Sequence, residues 1–368
     1  MTSPGATRLV LPDFPWDSLA GAALRASEYP GGVVDLSVGT PVDPVPDVVR
    51  EALQSASALP GYPATQGTPE LRQVVVGALA RRYGVTGVPA EAVLPTAGSK
   101  ELVAWLPTLL GLGPGDLVAV PELAYPTYEV GAVLAGATAM RLTDGEPAPP
   151  GTRLRWLNSP RNPTGDVAPA EVLASAVAQA RQLGAVLASD ECYLSLGWET
   201  QPLSVLHPQV SSGDHHGLLA VHSLSKSSNL ASYRAGFVTG DPELVAALLA
   251  VRRHAGMMVA RPVQQAMVAA LSDDTHLARQ RDRYAARRAL LVPALAQAGL
   301  RVQRSQGGLF LWCTAGEPCW DTVNRLAERG VLVAPGEFYG PAGARHVRVA
   351  LTATDEHIAA AVRRLAGT

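Results

Sequence analysis

At 368 residues the chain exceeds the length at which a single hydrophobic core stops growing, so two domains are expected. With 47% hydrophobic and 17% charged residues it is globular and not disordered, and a net charge of −2 excludes the basic footprint of a nucleic-acid binder. Cys192, Cys313 and Cys319 show no CxxC spacing and the eight histidines form no HExxH, which excludes a disulfide framework and a zinc site.

The opening stretch, MTSPGATRLVLPDFPW, has no long apolar run behind a basic start, so no signal peptide is expected. No later run reaches the roughly eighteen apolar residues of a membrane span, and a cytoplasmic, reducing location follows as the expectation. Residues 1–39 are expected to pack with the smaller of the two domains. Ala97-Gly98 is a small-residue turn leading into a helix over 99–110. Short buried strands are predicted at 117–122, 154–160, 185–191, 218–225 and 234–240, with helices over 169–183 and 242–253. Strands alternating with helices specify an α/β domain over 40–256, its mostly parallel sheet flanked by helices on both faces. Within it, SSGDHHG reads as an exposed loop carrying His215 and His216. One helical stretch is predicted from about Arg261 to about Ala298; Arg281, Arg283, Arg287 and Arg288 read as its solvated face. LRVQRS, GLFLWCT, GVLVAPG and HVRVALT, with a last helix over 355–365, predict a smaller α+β domain over 257–368.

Ligands of open parallel sheets bind at the carboxyl ends of the strands. Asn158 and Asn162 follow one predicted strand, Asp190 ends the next, and Ser223 to Lys226 follow a third. Lys226 and Lys100 are the only lysines among thirty basic residues. Arginine stays protonated and forms no imine, so a lysine in this background points to amine chemistry, or else to two leftover surface charges. Asp190, behind an apolar run, needs a cation or donor to be buried there, such as a protonated heterocyclic nitrogen; a helix cap is the other reading. Gly98, Ser99 and Lys100 open a helix whose amide hydrogens favour phosphate, although a serine there is ordinarily an N-cap. Ser223, Ser225 and Arg234 offer further phosphate donors around Lys226. A phosphate anchor, an imine-forming lysine and an acid for a pyridinium together describe a pyridoxal 5′-phosphate site.

Over nearly its whole length the chain resembles the fold-type I, class I/II aminotransferases, and it does so in the order and spacing of its motifs. NSPRNPTG resembles the turn whose asparagine, here Asn162, bonds the cofactor's phenolic oxygen. SDECY resembles the pyridinium-binding segment, which implies Asp190 on the ring nitrogen and Tyr193 on the phenolic oxygen. SLSKSSNLASYR resembles the imine segment, with Lys226 as catalytic lysine and Ser223 and Arg234 on phosphate. The intervals from Asn162 to Asp190, Lys226 and Arg234 are 28, 36 and 8 residues in succession. The resemblance further implies an aspartate aminotransferase-like fold with Gly98, Ser99 and Lys100 at the phosphate. It implies Tyr125 stacked on the pyridine ring, where a core tyrosine is the plainer alternative. Gly39 and Arg348 would grip the substrate α-carboxylate. Tyr62 would reach the phosphate of a neighbouring subunit, hence a homodimer with composite sites. Two positions depart from the family: Leu123, where proline is common, and Arg161, where a small polar residue is common.

The expected activity moves an amino group between an amino acid and a keto acid. LSVGTPVDPVP, VPELAYPTY and RRHAGMMVARPVQ resemble N-succinyldiaminopimelate aminotransferases of the diaminopimelate/lysine pathway, with 2-oxoglutarate/glutamate as the partner pair. Such a donor carries carboxylates far from its amine, and Arg25, Arg161 and Arg261 are the candidate contacts. Another class I aminotransferase, for aspartate or a similar amino acid, fits the same motifs, as does a carbon–sulfur lyase. A cofactor-sensing regulator would need a DNA-binding module for which the chain has no room. A sugar- or nucleotide-binding protein would need no imine.

Overall fold

In the computed structural model, which describes residues 10–367, the apolar runs become the strands of a seven-stranded sheet. After a short β1 (Val34–Asp35), these are β2 (Val93–Ala97), β3 (Leu117–Pro121), β4 (Thr138–Leu142), β5 (Thr152–Asn158), β6 (Val186–Asp190), β7 (Leu218–Ser223) and β8 (Ala235–Gly240). Their spatial order is β2-β8-β7-β6-β5-β3-β4. Neighbours from β7 across to β4 are parallel, whereas β8 runs antiparallel to both β2 and β7. Alternate residues feed opposite faces, as a pleated strand requires. Leu218 and Ala220 join the cluster under helices Pro69–Tyr83 and Ala170–Leu183. Leu219 and Val221 join the one under Ser99–Leu109, Thr127–Ala135 and Pro242–Ala255.

The carboxyl half adds β9 (Arg301–Gln303), β10 (Phe310–Thr314), β11 (Val331–Leu332), β12 (Ala334–Pro335) and β13 (Val347–Ala350). Strands β12-β13-β10-β9 form an antiparallel sheet, and β1 pairs in parallel with β11. Leu19, Ala22, Ala26, Val34 and Leu36 share one buried cluster with Phe310, Trp312, Val347 and Ile358.

Four expectations need correction. The helical stretch from Arg261 is two helices, Arg261–Ser272 and Thr275–Gln297, because the Asp273 carboxylate accepts the Thr275 and His276 amides and starts a new helix. Of the arginines expected on a solvated face of that second helix, Arg281 and Arg283 are exposed, whereas Arg288 is half-buried and Arg287 is buried. Arg287 is only 2% exposed, holding Asp43 at 2.7 Å and Asp355 at 2.7 Å, while Arg281 donates to the Gly197 carbonyl and Arg288 to Glu199. His215 is buried against the Leu206 carbonyl, and only His216 is exposed. The sheet also has strands the sequence pattern conceals. β2 contains Pro95, which argues against a strand except at a sheet edge, and an edge is where it lies.

Candidate active site

Every polar residue expected from the strand ends stands at one edge of the large sheet. Registers place Asn158 opposite Asp190, Ser223 opposite Gly236, and Ala97 opposite Ala235. Because β8 is reversed, its start lies beside the ends of β2 and β7. Arg234 therefore arrives where Gly98 and Ser223 already are.

Lys226 follows β7 in a one-turn helix, Leu224–Ser227, whose start is fixed by the Ser223 hydroxyl accepting the Ser225 amide at 3.1 Å. Its ammonium donates to the Gly39 carbonyl. Lys226 keeps some solvent access through the cleft, yet the protein packed around its amine pulls the pKa down to about 8, helped by the charges of Arg348 and Arg234. Asp190 is fully enclosed. One carboxylate oxygen accepts the Tyr128 hydroxyl at 2.9 Å and the other the Cys192 amide at 3.2 Å. The Cys192 bond belongs to a turn and not to a helix cap. Burial raises the Asp190 pKa, and no cation pairs with it among the described residues. The carboxylate is thus placed for a positive ligand.

Asn162 links both halves of the chain. Its amide donates to the Asn158 side chain at 2.7 Å, and its side-chain oxygen accepts Arg348 Nη1 at 2.9 Å. Arg348 is 3% exposed, donates Nη2 to the Ser37 carbonyl at 2.7 Å, and lies 3.8 Å over the Phe310 ring. Its Nε is buried without a partner. Gly39 is confined by Phe310, whose ring a Cβ would approach to 2.6 Å. Tyr193 packs edge-on against the same ring at 5.7 Å.

The phosphate end is built from close approaches. Gly98 has φ +77° and ψ 164°, and a Cβ there would fall 2.3 Å from Arg234 Nη2. A side chain on Gly236 would strike the Ser99 amide at 3.0 Å. Arg234, itself at φ 56°, donates to the Ala231 carbonyl at 2.9 Å. Ser99 opens its helix, leaving first-turn amides toward the same spot. The Lys100 ammonium lies instead over two rings, 6.0 Å from Tyr125 and 5.8 Å from Phe14. Tyr125 stands edge-on to Tyr128 at 6.0 Å.

Some candidates lie apart. Tyr62 is 95% exposed. Arg25 lies near Glu328 at 3.9 Å, Arg161 pairs with Asp144 at 2.7 Å, and Arg261 donates to the Pro60 carbonyl at 2.8 Å. None of these three guanidiniums bonds to Lys226, Asn162 or Arg348. At Leu123 the loop is held by its neighbour, since the Ala124 amide donates to the Tyr339 carbonyl at 2.8 Å. An open cavity of about 880 Å³ lies outside Phe14 and Phe338, and neither Lys226, Asp190 nor Arg348 lines it. Sequence reasoning missed Tyr128, Ser37, Trp16 and Tyr339. Tyr128 had one signal, its place three residues beyond Tyr125 at a helix start.

These residues fit pyridoxal 5′-phosphate. A desolvated amine suits its aldehyde, and an unpaired buried carboxylate suits its ring nitrogen. The Gly98 cradle, which a Cβ would fill, and the adjoining arginine suit its phosphate.

Comparison with known proteins agrees. The family model for aminotransferase class I and II matches residues 31–365. A probable aminotransferase of Mycobacterium tuberculosis is 64% identical over 98% of this chain and 87% of its own length. The 4-dedimethylamino-4-oxo-anhydrotetracycline transaminase OxyQ of Streptomyces rimosus is 57% identical over 96% and 99%. Among solved structures, an aspartate aminotransferase mutant of Thermus thermophilus superposes with a TM-score of 0.88 at 26% identity, covering 99% of each chain. A probable N-succinyldiaminopimelate aminotransferase of the same organism superposes at 0.86 with 29% identity, covering 96% of this chain and all of the other. A lysine, an acid and an arginine brought to one sheet edge, on an aspartate aminotransferase-like fold, have the same explanation as these likenesses: the chain belongs to the class I and II aminotransferases, enzymes that work with pyridoxal 5′-phosphate.

Proposed function

We propose that this aminotransferase exchanges the amino group of N-succinyl-L,L-diaminopimelate with 2-oxoglutarate. The observation carrying the amino-acid half is Arg348, a buried guanidinium with an unpartnered Nε beside the Lys226–Gly39 contact. A planar fork of this kind fits a substrate α-carboxylate. The remote carboxylates of the donor call for a further cation. Lys100 supplies it, because its ammonium lies over the Tyr125 and Phe14 rings and forms no ion pair among the described residues. Support for the donor itself comes from the likeness to the Thermus N-succinyldiaminopimelate enzyme.

Bound pyridoxal 5′-phosphate would supply an aldehyde to receive the amino group and a protonated ring to withdraw electrons from the substrate α-carbon. Asp190 would hold the proton on the ring nitrogen, and Tyr128 orients Asp190. Tyr193 and Asn162 would face the phenolic oxygen, while Tyr125 would hold the plane of the ring. Gly98, Ser99, Ser223, Ser225 and Arg234 would hold the phosphate. Lys226, whose lowered pKa leaves much of it neutral near pH 8, takes the proton from the substrate α-carbon and returns it to the cofactor side.

The residue ranges 1–39, 40–256 and 257–368 remain the proposed division of the chain. Helix Arg261–Ser272 shares its buried cluster with the large sheet, which supports moving the second boundary to Asp273. Action in the cytoplasm of a diaminopimelate-producing cell follows from the proposed substrate. The 57% identity to the tetracycline-type transaminase favours a second reading, in which the amino acceptor is a bulky cyclic ketone.

A panel of amino donors with 2-oxoglutarate, followed by glutamate formation, tests the proposal. The highest kcat/KM is expected for N-succinyl-L,L-diaminopimelate. Preference for an aromatic, branched or short acidic donor would reject the substrate while leaving the enzyme class untouched. Release of ammonia and pyruvate without any keto acid would indicate a carbon–sulfur lyase.

A further inference from the structure

Arg348 sits in a cage of rings drawn from distant parts of the chain. Phe310, Tyr339 and Trp16 lie 3.8, 4.9 and 5.9 Å from its guanidinium carbon. Trp16 stands edge-on to Tyr339 at 6.4 Å and tilted against Phe338 at 5.4 Å. Two of the caging rings carry a polar hydrogen. Both polar atoms, Trp16 Nε1 and the Tyr339 hydroxyl, are buried and have no hydrogen-bond partner among the described residues. Arg348 Nε shares that condition.

A buried donor left unpaired is costly, so two beside one guanidinium, together with its own Nε, call for a partner from outside the described residues. The α-carboxylate accounts for Arg348. It does not account for the indole and the phenol, since phenylalanine at either position would make the same ring contacts without a polar atom to satisfy. Trp156 Nε1 is also unpartnered, but it is enclosed in the core of the large sheet, stacked on Tyr128 at 4.8 Å, away from any substrate. Trp16 and Tyr339 differ in flanking the substrate's anchor.

We infer that Trp16 and Tyr339 form a donor-lined subsite beside Arg348 that selects substrates bearing an acceptor oxygen, carboxylate or amide carbonyl, several carbons from the reacting amine. This rests on the proposed binding of the α-carboxylate by Arg348. An acceptor satisfies both groups at once. An indole nitrogen donates and never accepts, and burial pushes the Tyr339 hydroxyl well above its ordinary pKa, so its proton stays in place. A wholly apolar side chain would leave both donors unpaired, and sites of that kind discriminate strongly against the analogue lacking the acceptor.

The test uses the holoenzyme and three non-reacting ligands of one length: pimelate, its monoamide, and heptanoate. Each offers one carboxylate to Arg348; the first two add an acceptor at the far end. Isothermal calorimetry gives the Kd of each for the wild type, Tyr339→Phe and Trp16→Phe. Wild type is expected to prefer pimelate and the monoamide to heptanoate by at least about tenfold, and each variant to shrink that ratio by about tenfold, the worth of one such bond. A monoamide retaining the preference identifies a carbonyl as sufficient; pimelate alone doing so identifies a carboxylate. Equal weakening of all three ligands would put the two donors on the α-carboxylate or in packing and overturn the subsite, as would an unchanged ratio in both variants. A wild type that binds none of the three would reject the Arg348 assignment itself and the subsite with it.

Discussion

Lys226 and Asp190 do opposite things with the same physical cause. Burial lowers the pKa of one and raises that of the other, because each loses water around its charged form. For Lys226 the neutral, nucleophilic form dominates above about pH 8. The rate at which apoenzyme captures pyridoxal 5′-phosphate should therefore climb through pH 8 and level off above it, read as borohydride-trapped label on the Lys226 peptide. Lys226→Arg should trap nothing at any pH, and labelling in that variant would show that another amine does the chemistry. Among the described residues, Tyr128 alone gives Asp190 a hydroxyl bond. Tyr128→Phe should lower kcat about tenfold, the cost of one hydrogen bond to a charged group. It should also shift the bound cofactor's absorption, which a purely packing role would leave unchanged. The meeting of Asp190, Lys226 and Arg234 at one rim was legible in the sequence, because each follows or flanks the end of a readable strand. Tyr128 and Tyr339 were not: a tyrosine in an apolar segment looks like core until its hydroxyl is located.

Elements decide how those residues meet. Strands β5 to β8 were readable as apolar runs, whereas β4 lay hidden as an alternating edge strand and β2 behind Pro95. The helix over 261–298 was misread because apolar spacing continues through Asp273, and only the capping bonds to Thr275 and His276 reveal the break. The buried Arg287–Asp43 pair was invisible for a related reason, since its partner lies 244 residues away. At the junction of β2 with the next helix, Gly98 occupies a backbone region nearly exclusive to glycine. Gly98→Ala combines that strain with a clash against Arg234. It should weaken cofactor binding by about tenfold or more, measured by fluorescence titration of apoenzyme, while the melting temperature of the apoenzyme shifts little.

For the whole molecule, the proposed homodimer turns on Tyr62, whose ring is almost entirely in water in the single chain. If it serves a neighbour's phosphate, Lys226→Ala and Tyr62→Ala chains should each be impaired alone and should complement when dissociated and reassembled together. The hybrid then holds one site with both residues intact. Activity no higher than the sum of the separate preparations would place Tyr62 outside the site. Sedimentation of the same samples should show a species of twice the chain mass. The second, smaller sheet was readable in part from the strand-like runs LRVQRS, GLFLWCT and HVRVALT. The tie between it and the large sheet was not, since Asn162 and Arg348 meet only after folding brings residues 186 apart together.

The backward run of β8 has a consequence for what evolution or engineering can alter. The chain leaves β7 at Ser223 and re-enters the sheet at Ala235 on the same rim, so the intervening excursion works as a caliper of set span. Adding or deleting a single residue between Lys226 and Arg234 would slide one jaw past Gly98 while the other stayed anchored, and such length variants should fold, yet lose their hold on the vitamin.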